Sequence, residues 1–462
     1  MTSFPLSRLP APLRGLLAAV LALALSAVLT FGLHNQDTYL TGFWDDYSQA
    51  LVFARMLQMQ QDQQSPGGFL GTYTEEFGDT QNRYLYRENT PVEPEDYHAY
   101  THQTGLQGWA LGILNKVFSI WQDSGEARER MLYATNSILF YAAALALAWA
   151  AGRAFGAPAG VGWALAAVLA PWVQRGMKDL YWCLWTWLLP MLAGALLCAV
   201  TRRRGRTPWY CYALCFAAPM LRCMCGFEFI STFLILGEIP LFACWAAALA
   251  EGKGAAAWFR RMFFAGVAAV AGVAAAFGVW LVQGYLYFGS WGESFANALA
   301  PALFHTGGEE ISAFAVAWRY LSSAEPVLQL GPVSLAPGAL LGIGAAALAA
   351  AFGVCIARHR RPPARLWAVA SVWVLSALAP LSWMLLAKVH CDIHTHLVPM
   401  LWNFALAPAT CLVVAALAGW GIRYVWGKVK RVKPYGRAML APANGGSPPR
   451  MLQPRHPVAS LK

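Results

Sequence analysis

Charge is scarce in this chain of 462 residues: Asp, Glu, Lys and Arg make up 12% of it, against about 25% in a soluble domain. That shortage excludes an ordinary water-soluble fold. No pair of cysteines has the CxxC or ribbon spacing of a structural zinc site. The ten cysteines lie mostly inside apolar runs, as small packing residues. No internal repeat is present, which argues against a solenoid or a tandem array. What the chain has instead is grease: 58% hydrophobic residues and 21 tryptophans, with a mean hydropathy of +0.43. The net charge of +11 does not point to nucleic acid, because membrane proteins collect Lys and Arg in cytoplasmic loops.

A spanning helix needs about 20 apolar residues. Segments 11–33, 131–151, 157–174, 180–200, 208–224, 226–250, 262–288, 336–357, 366–387 and 397–420 qualify, with 157–174 and 208–224 the shortest. The first follows Arg8 and Arg14 and reads as an uncleaved anchor, its apolar core being long for a signal peptide. Basic residues then mark every second loop: Arg153, Arg202–Arg206, Lys253 to Arg261, Arg358 to Arg365, and Arg423 to Arg431. This positive-inside pattern places both termini in the cytoplasm. The fold expected is all-α, a polytopic bundle of about ten membrane helices. Residues 1–33 form a stub and first helix, 34–130 a large extracytoplasmic loop, 131–420 the bundle, and 421–462 a basic, disordered tail.

The other face carries the chemistry. All acidic residues except Glu238 and Glu251, and all histidines except His359 and His456, fall on it. Charge-driven orientation does not explain this, since acids contribute little to topology. In the first loop, "FWDDYSQALVFARMLQMQQ" sets Phe43, Tyr47, Ala50, Leu51 and Ala54 at helical spacing, which predicts an amphipathic helix on the membrane surface. Residues 61–95 read as loop. Residues 98–121 are apolar but broken by Gly and Gln. They suit an interfacial or re-entrant helix better than a span, which would reverse every later loop.

Three clusters stand out. "WDDY" places Asp45 and Asp46 just beyond the first helix. The pair suits a general base or a metal ligand, or else is a pair of solvated acids or an Asp N-cap on the following helix. "KVHCDIHTH" packs Lys388, His390, Asp392, His394 and His396 into nine residues. Extended, all five face one way; helical, His390 shares a face with His394, and Asp392 with His396. The set can hold zinc or, the preferred reading, form a cationic clamp for phosphate. "RCMCGFEFIST" places Arg222 and Glu228 near the outer ends of adjacent helices, as an ion pair or as substrate contacts. Cys223 or Cys225 could pair with Cys391 on that oxidising side. "MKDLYW" adds Lys178 and Asp179, with Tyr181, Trp182 and Trp185 read as an aromatic belt. Glu238, before Pro240, is an intramembrane carboxylate, either a functional group or part of a bonded kink.

Taken together, a first helix opening into a large outer loop, the acidic Asp45–Asp46 motif and the segment "YHAYTHQTGLQGWALGILNKVFS" resemble the GT-C superfamily of polytopic membrane glycosyltransferases over residues 10–250. "GFEFIST" and "KVHCDIHTHLVPMLWNF" also resemble segments of uncharacterised bacterial polytopic proteins. The resemblance implies transfer of a sugar from a polyprenyl-phosphate donor to a lipid, glycan or protein acceptor, at the outer face of a bacterial inner membrane. It implies Asp45, or less readily Asp46, as the base, with Lys388, His394, His396 and Arg222 holding phosphate and His102 orienting a substrate. Glu228, His390 and Asp392 complete the expected substrate-binding set. Membrane lipids are the other partners; no cofactor, metal or nucleic acid is implied. Three readings compete: a transporter or flippase of a lipid-linked or anionic solute, a metal-dependent membrane hydrolase built on the histidines, and a non-catalytic subunit of polysaccharide export.

Overall fold

The computed structural model describes residues 11–32, 45–63, 65–307 and 311–432. Residues 1–10, 33–44 (Phe43 of the expected surface helix and His34 among them) and most of the expected tail, 433–462, lie outside the described residues. Residues 1–417 form one compact unit and 418–462 a second. The first is an all-α polytopic bundle carrying two small two-stranded sheets.

The chain opens with α1 (Ala11–Gly32), made almost entirely of Ala, Leu, Val and other apolar residues. The first loop follows, with α2 (Asp46–Gln60), β1 (Leu70–Thr72), α3 (Gln81–Glu88), β2 (His98–Tyr100) and α4 (Leu106–Phe118). The bundle then runs through α5 (Gly125–Phe155), α6 (Ala157–Val168), α7 (Pro171–Gly176), α8 (Trp185–Arg204), α9 (Trp209–Cys225), α10 (Ile230–Glu251) and α11 (Ala255–Phe288). The second loop holds α12 (Trp291–Thr306), α13 (Ala313–Leu321) and the β3–β4 hairpin (Leu328–Leu330, Val333–Leu335). Last come α14 (Pro337–Ala357), α15 (Ala364–Leu386), α16 (Lys388–Ile393), α17 (Leu401–Phe404) and α18 (Leu406–Val432).

Each of the ten expected apolar segments contains helix among the described residues. Seven of the described stretches are long and apolar enough to cross a membrane: α5, α8, α10, α11, α14, α15 and Val398–Tyr424. The protein is a multi-pass membrane protein. Segment 157–174 departs from expectation. Its helix α6 is 12 residues, about 18 Å at ~1.5 Å per residue, short of the ~30 Å hydrocarbon core. Pro171 explains the break. It has no amide hydrogen to continue the ladder, so it starts α7 at its first position. At the other end, α18 continues helical to Val432, past the start of the expected tail.

The first loop is not a surface coat. Every residue of α2 from Gln49 to Met59 is buried, polar Gln49, Arg55 and Gln58 included. The expected amphipathic surface helix is therefore a core helix, packed against α3, α4 and β1. Arg55 is accommodated by Gln58, by Ser65 at 3.2 Å, and by the Trp109 ring 4.0 Å away. Segment 98–121 does not span: it pairs β2 antiparallel with β1, Thr72 opposite His98, then forms α4, a helix of 13 residues. The loop is clamped to the bundle through Glu129 of α5. That carboxylate is fully buried, bonded to Arg83 at 2.5 Å and to Arg87. Gly125 permits this approach, since a Cβ there would lie 2.2 Å from the Arg87 carbonyl oxygen. The second loop joins the first where Trp280 and Asn297 both donate to the Thr101 carbonyl, each at 2.9 Å.

Asp45, Arg222, Glu228 and the 388–396 segment all lie at one end of α8, α10 and α15. The basic residues at 202–204 and Arg365 lie at the other end of the same helices. Reporter fusions after Arg206, Arg261 and Arg365 should therefore read cytoplasm, and fusions near Gly67 and Gly307 the outside. A cytoplasmic signal at Gly67 would invert the placement of the site.

Candidate functional site

Asp45 does two things at once. Its Oδ1 accepts from the Ser48 amide at 3.0 Å, capping α2, and its Oδ2 accepts from the Trp182 indole at 2.8 Å. The cap satisfies one of the amides a helix start leaves unpaired. Asp46 is the first residue of α2 and is exposed, with Arg83 and Lys178 within electrostatic reach.

The indole reaches Asp45 because of the turn at 177–184. Asp179 is buried, and its Oδ1 accepts from the amides of Tyr181 and Trp182, both at 2.9 Å. Gln49 of α2 anchors the same turn by accepting from the Leu180 amide at 3.1 Å. Burial holds the Asp179 carboxyl well above its usual range, and nearby Asp45 adds to the effect. Lys178, also buried, is pushed down to about 8 by the same cause. Tyr181 and Trp182 are each 4% exposed, so they are not the aromatic belt expected from the sequence. They are walls of the site.

The second segment is 222–228. Arg222 is fully buried, stacked 5.0 Å over Trp187 and 5.8 Å from the Phe233 ring. Its Nη2 donates to the Glu228 carbonyl at 3.3 Å and stands 3.9 Å from the Glu228 carboxylate. Its Nε and Nη1 are buried and bond none of the described residues, so the guanidinium is only partly satisfied by the protein's own groups. The Glu228 Oε2 is also buried and accepts no hydrogen bond from the described residues, and both amide atoms of buried Gln103 are likewise unbonded. These groups meet at Gly226, where a Cβ would lie 2.3 Å from Glu228 Oε2 and 2.9 Å from Gln103 Oε1. Gly226 also has φ +151°, a conformation that side chains rarely adopt. The 103–107 segment is fixed there by capping α9: Thr104 donates to the Met224 carbonyl, and Gln107 to the Cys225 carbonyl at 3.0 Å.

The third segment is 388–396: Lys388–Ile393 is helical, and His394 and His396 follow it in a turn. His390 and His394 share a face, their rings 4.7 Å apart. His305 of α12 stands 4.6 Å from His390 on another side, and His396 5.9 Å from His394. His390 is buried, and its Nδ1 accepts from the Trp383 indole at 3.3 Å, which leaves the proton on Nε2. Burial pushes His102, His305, His390 and His394 below their usual value, so these imidazoles are neutral at pH 7. At His390 and His394 the expected clamp therefore offers neutral donors and acceptors rather than positive charge. Lys388 is half-buried. Asp392 pairs with Arg319 of α13 at 2.7 Å rather than with Lys388 or a histidine.

The three segments converge. Glu228 lies within electrostatic reach of both Asp45 and His394. Tyr100 feels Glu228 and Asp45, and bonds Tyr181. His102 stacks edge-on to Tyr100, ring centres 5.2 Å apart, and lies near His305. Burial raises the Glu228 carboxyl, opposed by Arg222. Among the described residues, no group of three or more His, Cys, Asp or Glu is arranged to hold a metal ion. All ten cysteines are free, so the Cys223, Cys225 and Cys391 pairing does not form. Tyr100, Gln103 and His305 join the site although no motif singled them out, whereas Asp179 belongs to "MKDLYW". The signal for Gln103 is a polar residue two positions before a glycine in "THQTG".

No protein-family model matches this sequence, and no curated protein does. Two solved structures from Archaeoglobus fulgidus are similar in part. One is the archaeal oligosaccharyltransferase AglB in complex with an inhibitory peptide and a dolichol-phosphate: 14% identity, TM-score 0.46, covering 92% of this chain and 52% of the other. The second is that organism's oligosaccharyltransferase in the apo form: 15% identity, TM-score 0.44, with 91% and 52% covered. This chain spans about half the length of each. At those values the likeness carries no argument about the site.

Proposed function

We propose that this is a membrane glycosyltransferase that takes a sugar from a polyprenyl-phosphate donor at the face opposite its basic loops. The observation that carries the reading is the uncommitted oxygen of Glu228, buried beside an unbonded Gln103 amide, on a carboxylate within electrostatic reach of Asp45 and His394. Buried polar atoms are nearly always bonded, so this set is built for hydroxyl groups that a substrate brings. Inverting transfer needs a carboxylate to take the acceptor's proton and donors to steady the leaving phosphate. Both Asp45 oxygens already accept hydrogen bonds. We assign the proton acceptor to Glu228, whose Oε2 accepts no hydrogen bond from the described residues and whose basicity burial raises. Asp45 supplies negative field and, through Trp182, shape. Asp46, on the exposed side, steers the acceptor. His394, His396 and Lys388 meet the phosphate, and His102 borders the sugar.

The acceptor class, lipid, glycan or protein, is set by the open side of this site. Removing one charge-assisted contact to a partly desolvated phosphate costs about 1.5–3 kcal/mol, roughly 10- to 150-fold in affinity. Lys388→Ala and His394→Ala should each weaken polyprenyl-phosphate binding by about that factor, measured by titration in detergent. Affinity should be unchanged by EDTA. Abolition by EDTA with rescue by zinc would replace this reading with a metallohydrolase.

A further inference from the structure

The opposite end of the bundle holds a separate cavity of about 860 Å³ between α5, α8, α10 and α15, with Leu412 of α18 at its back. Its interior is apolar: Leu147, Trp163, Met191, Ile239, Val372 and Leu412 line it. Its mouth is not. Arg153, Arg202, Arg203 and Arg365 border it, against a single carboxylate, Glu251. Arg153 and Arg203 come from the last turns of α5 and α8. Arg365 stands in the first turn of α15, where no side chain caps the helix and the free amides favour an anion.

We propose that this cavity binds one anionic glycerophospholipid of the basic-side leaflet, its phosphate among the four arginines and an acyl chain along the apolar wall. The dimensions fit that occupant. From Met191 to Arg203 along α8 the wall runs about 18 Å at ~1.5 Å per residue, close to one leaflet of a ~30 Å hydrocarbon core. A polyprenyl chain long enough to cross the bilayer would overrun it. The arginines alone would be unremarkable on a positive-inside face; their convergence on an apolar cavity of leaflet depth is the new observation. The site lies at the other end of α8, α10 and α15 from Trp182, Glu228 and the 388–396 segment, so it is not the transfer site.

The test is native mass spectrometry of the full-length protein from nanodiscs of phosphatidylcholine with and without phosphatidylglycerol. Wild type should retain one phosphatidylglycerol in preference to phosphatidylcholine. The triple change Arg153→Gln, Arg203→Gln, Arg365→Gln should weaken retention on the order of 100-fold, equivalent to about 3 kcal/mol at ~1 kcal/mol per arginine. A matched triple, Arg204→Gln, Arg206→Gln, Arg260→Gln, removes the same charge from residues that do not border the cavity, and should leave retention unchanged. Ala199→Phe, which fills the cavity without altering charge, should also abolish it. Equal loss in both triples would reduce the effect to general surface charge and overturn the proposal. So would unchanged retention in Ala199→Phe, or stronger retention of added polyprenyl phosphate than of phosphatidylglycerol.

Discussion

Glu228→Gln should lower the rate of sugar transfer by about 10²- to 10⁴-fold while leaving expression and donor binding intact. That is the usual contribution of a positioned proton acceptor. The amide keeps the shape of the side chain and removes only its ability to take a proton. The fold should tolerate the change, because Arg222 retains the Glu228 carbonyl and its two aromatic neighbours. Asp45→Asn should be milder. Its Oδ1 can still cap α2, but its amide would face the Trp182 N–H that Oδ2 now accepts. The pH profile separates the two roles. Glu228 must be ionised to act, and burial raises its pKa above the ordinary glutamate value of 4.5. Activity should therefore fall on acidification at a pH above 4.5, and Glu228→Asp should move that limb. Turnover retained in Glu228→Gln would return the base to Asp45 or Asp46.

The largest stability effect should come from Glu129. It is fully buried and binds both Arg83 and Arg87 of α3, fastening the first loop to the bundle. Breaking a buried ion pair by removing one partner costs about 3–5 kcal/mol. The two arginines keep partial access to water, at 16% and 20% exposure, so Glu129→Gln should lie near the lower end, about 3 kcal/mol. The loss should be local before it is global. Protease cleavage between residues 61 and 95 should speed up on the order of 100-fold, since every ~1.4 kcal/mol is a factor of ten in the open population. Unchanged cleavage would mean that α2, not this clamp, holds the loop.

The spans were legible because lipid imposes a length and a composition on each segment separately. Positive-inside asymmetry then sorted the ends, and the segments that hold Asp45, Glu228 and His394 share an end in the structure as the sequence predicts. What was not legible depends on partners distant in the chain. Gln49, Arg55 and Gln58 make α2 look half polar, as a surface helix does. They are buried because Leu180, Ser65 and Trp109 come to meet them. Tyr181 and Trp182 have the composition of an interface belt, and only the Asp179 turn directs them inward. Spacing also left "KVHCDIHTH" open between strand and helix; the structure resolves Lys388–Ile393 as α16 and gives Asp392 to Arg319. The charge state of the histidines follows from burial, which no local pattern records.

The proposed transfer requires above all that a polyprenyl phosphate dock between the 45–46 and 388–396 segments. Cryo-electron microscopy of the protein with added polyprenyl monophosphate tests this directly. Phosphate density should appear within about 3.2 Å of the Lys388 ammonium and the His394 ring, with the isoprenoid chain leaving toward lipid. A well-resolved map in which that site is empty, or in which the phosphate lies only among Arg153, Arg203 and Arg365, would contradict it.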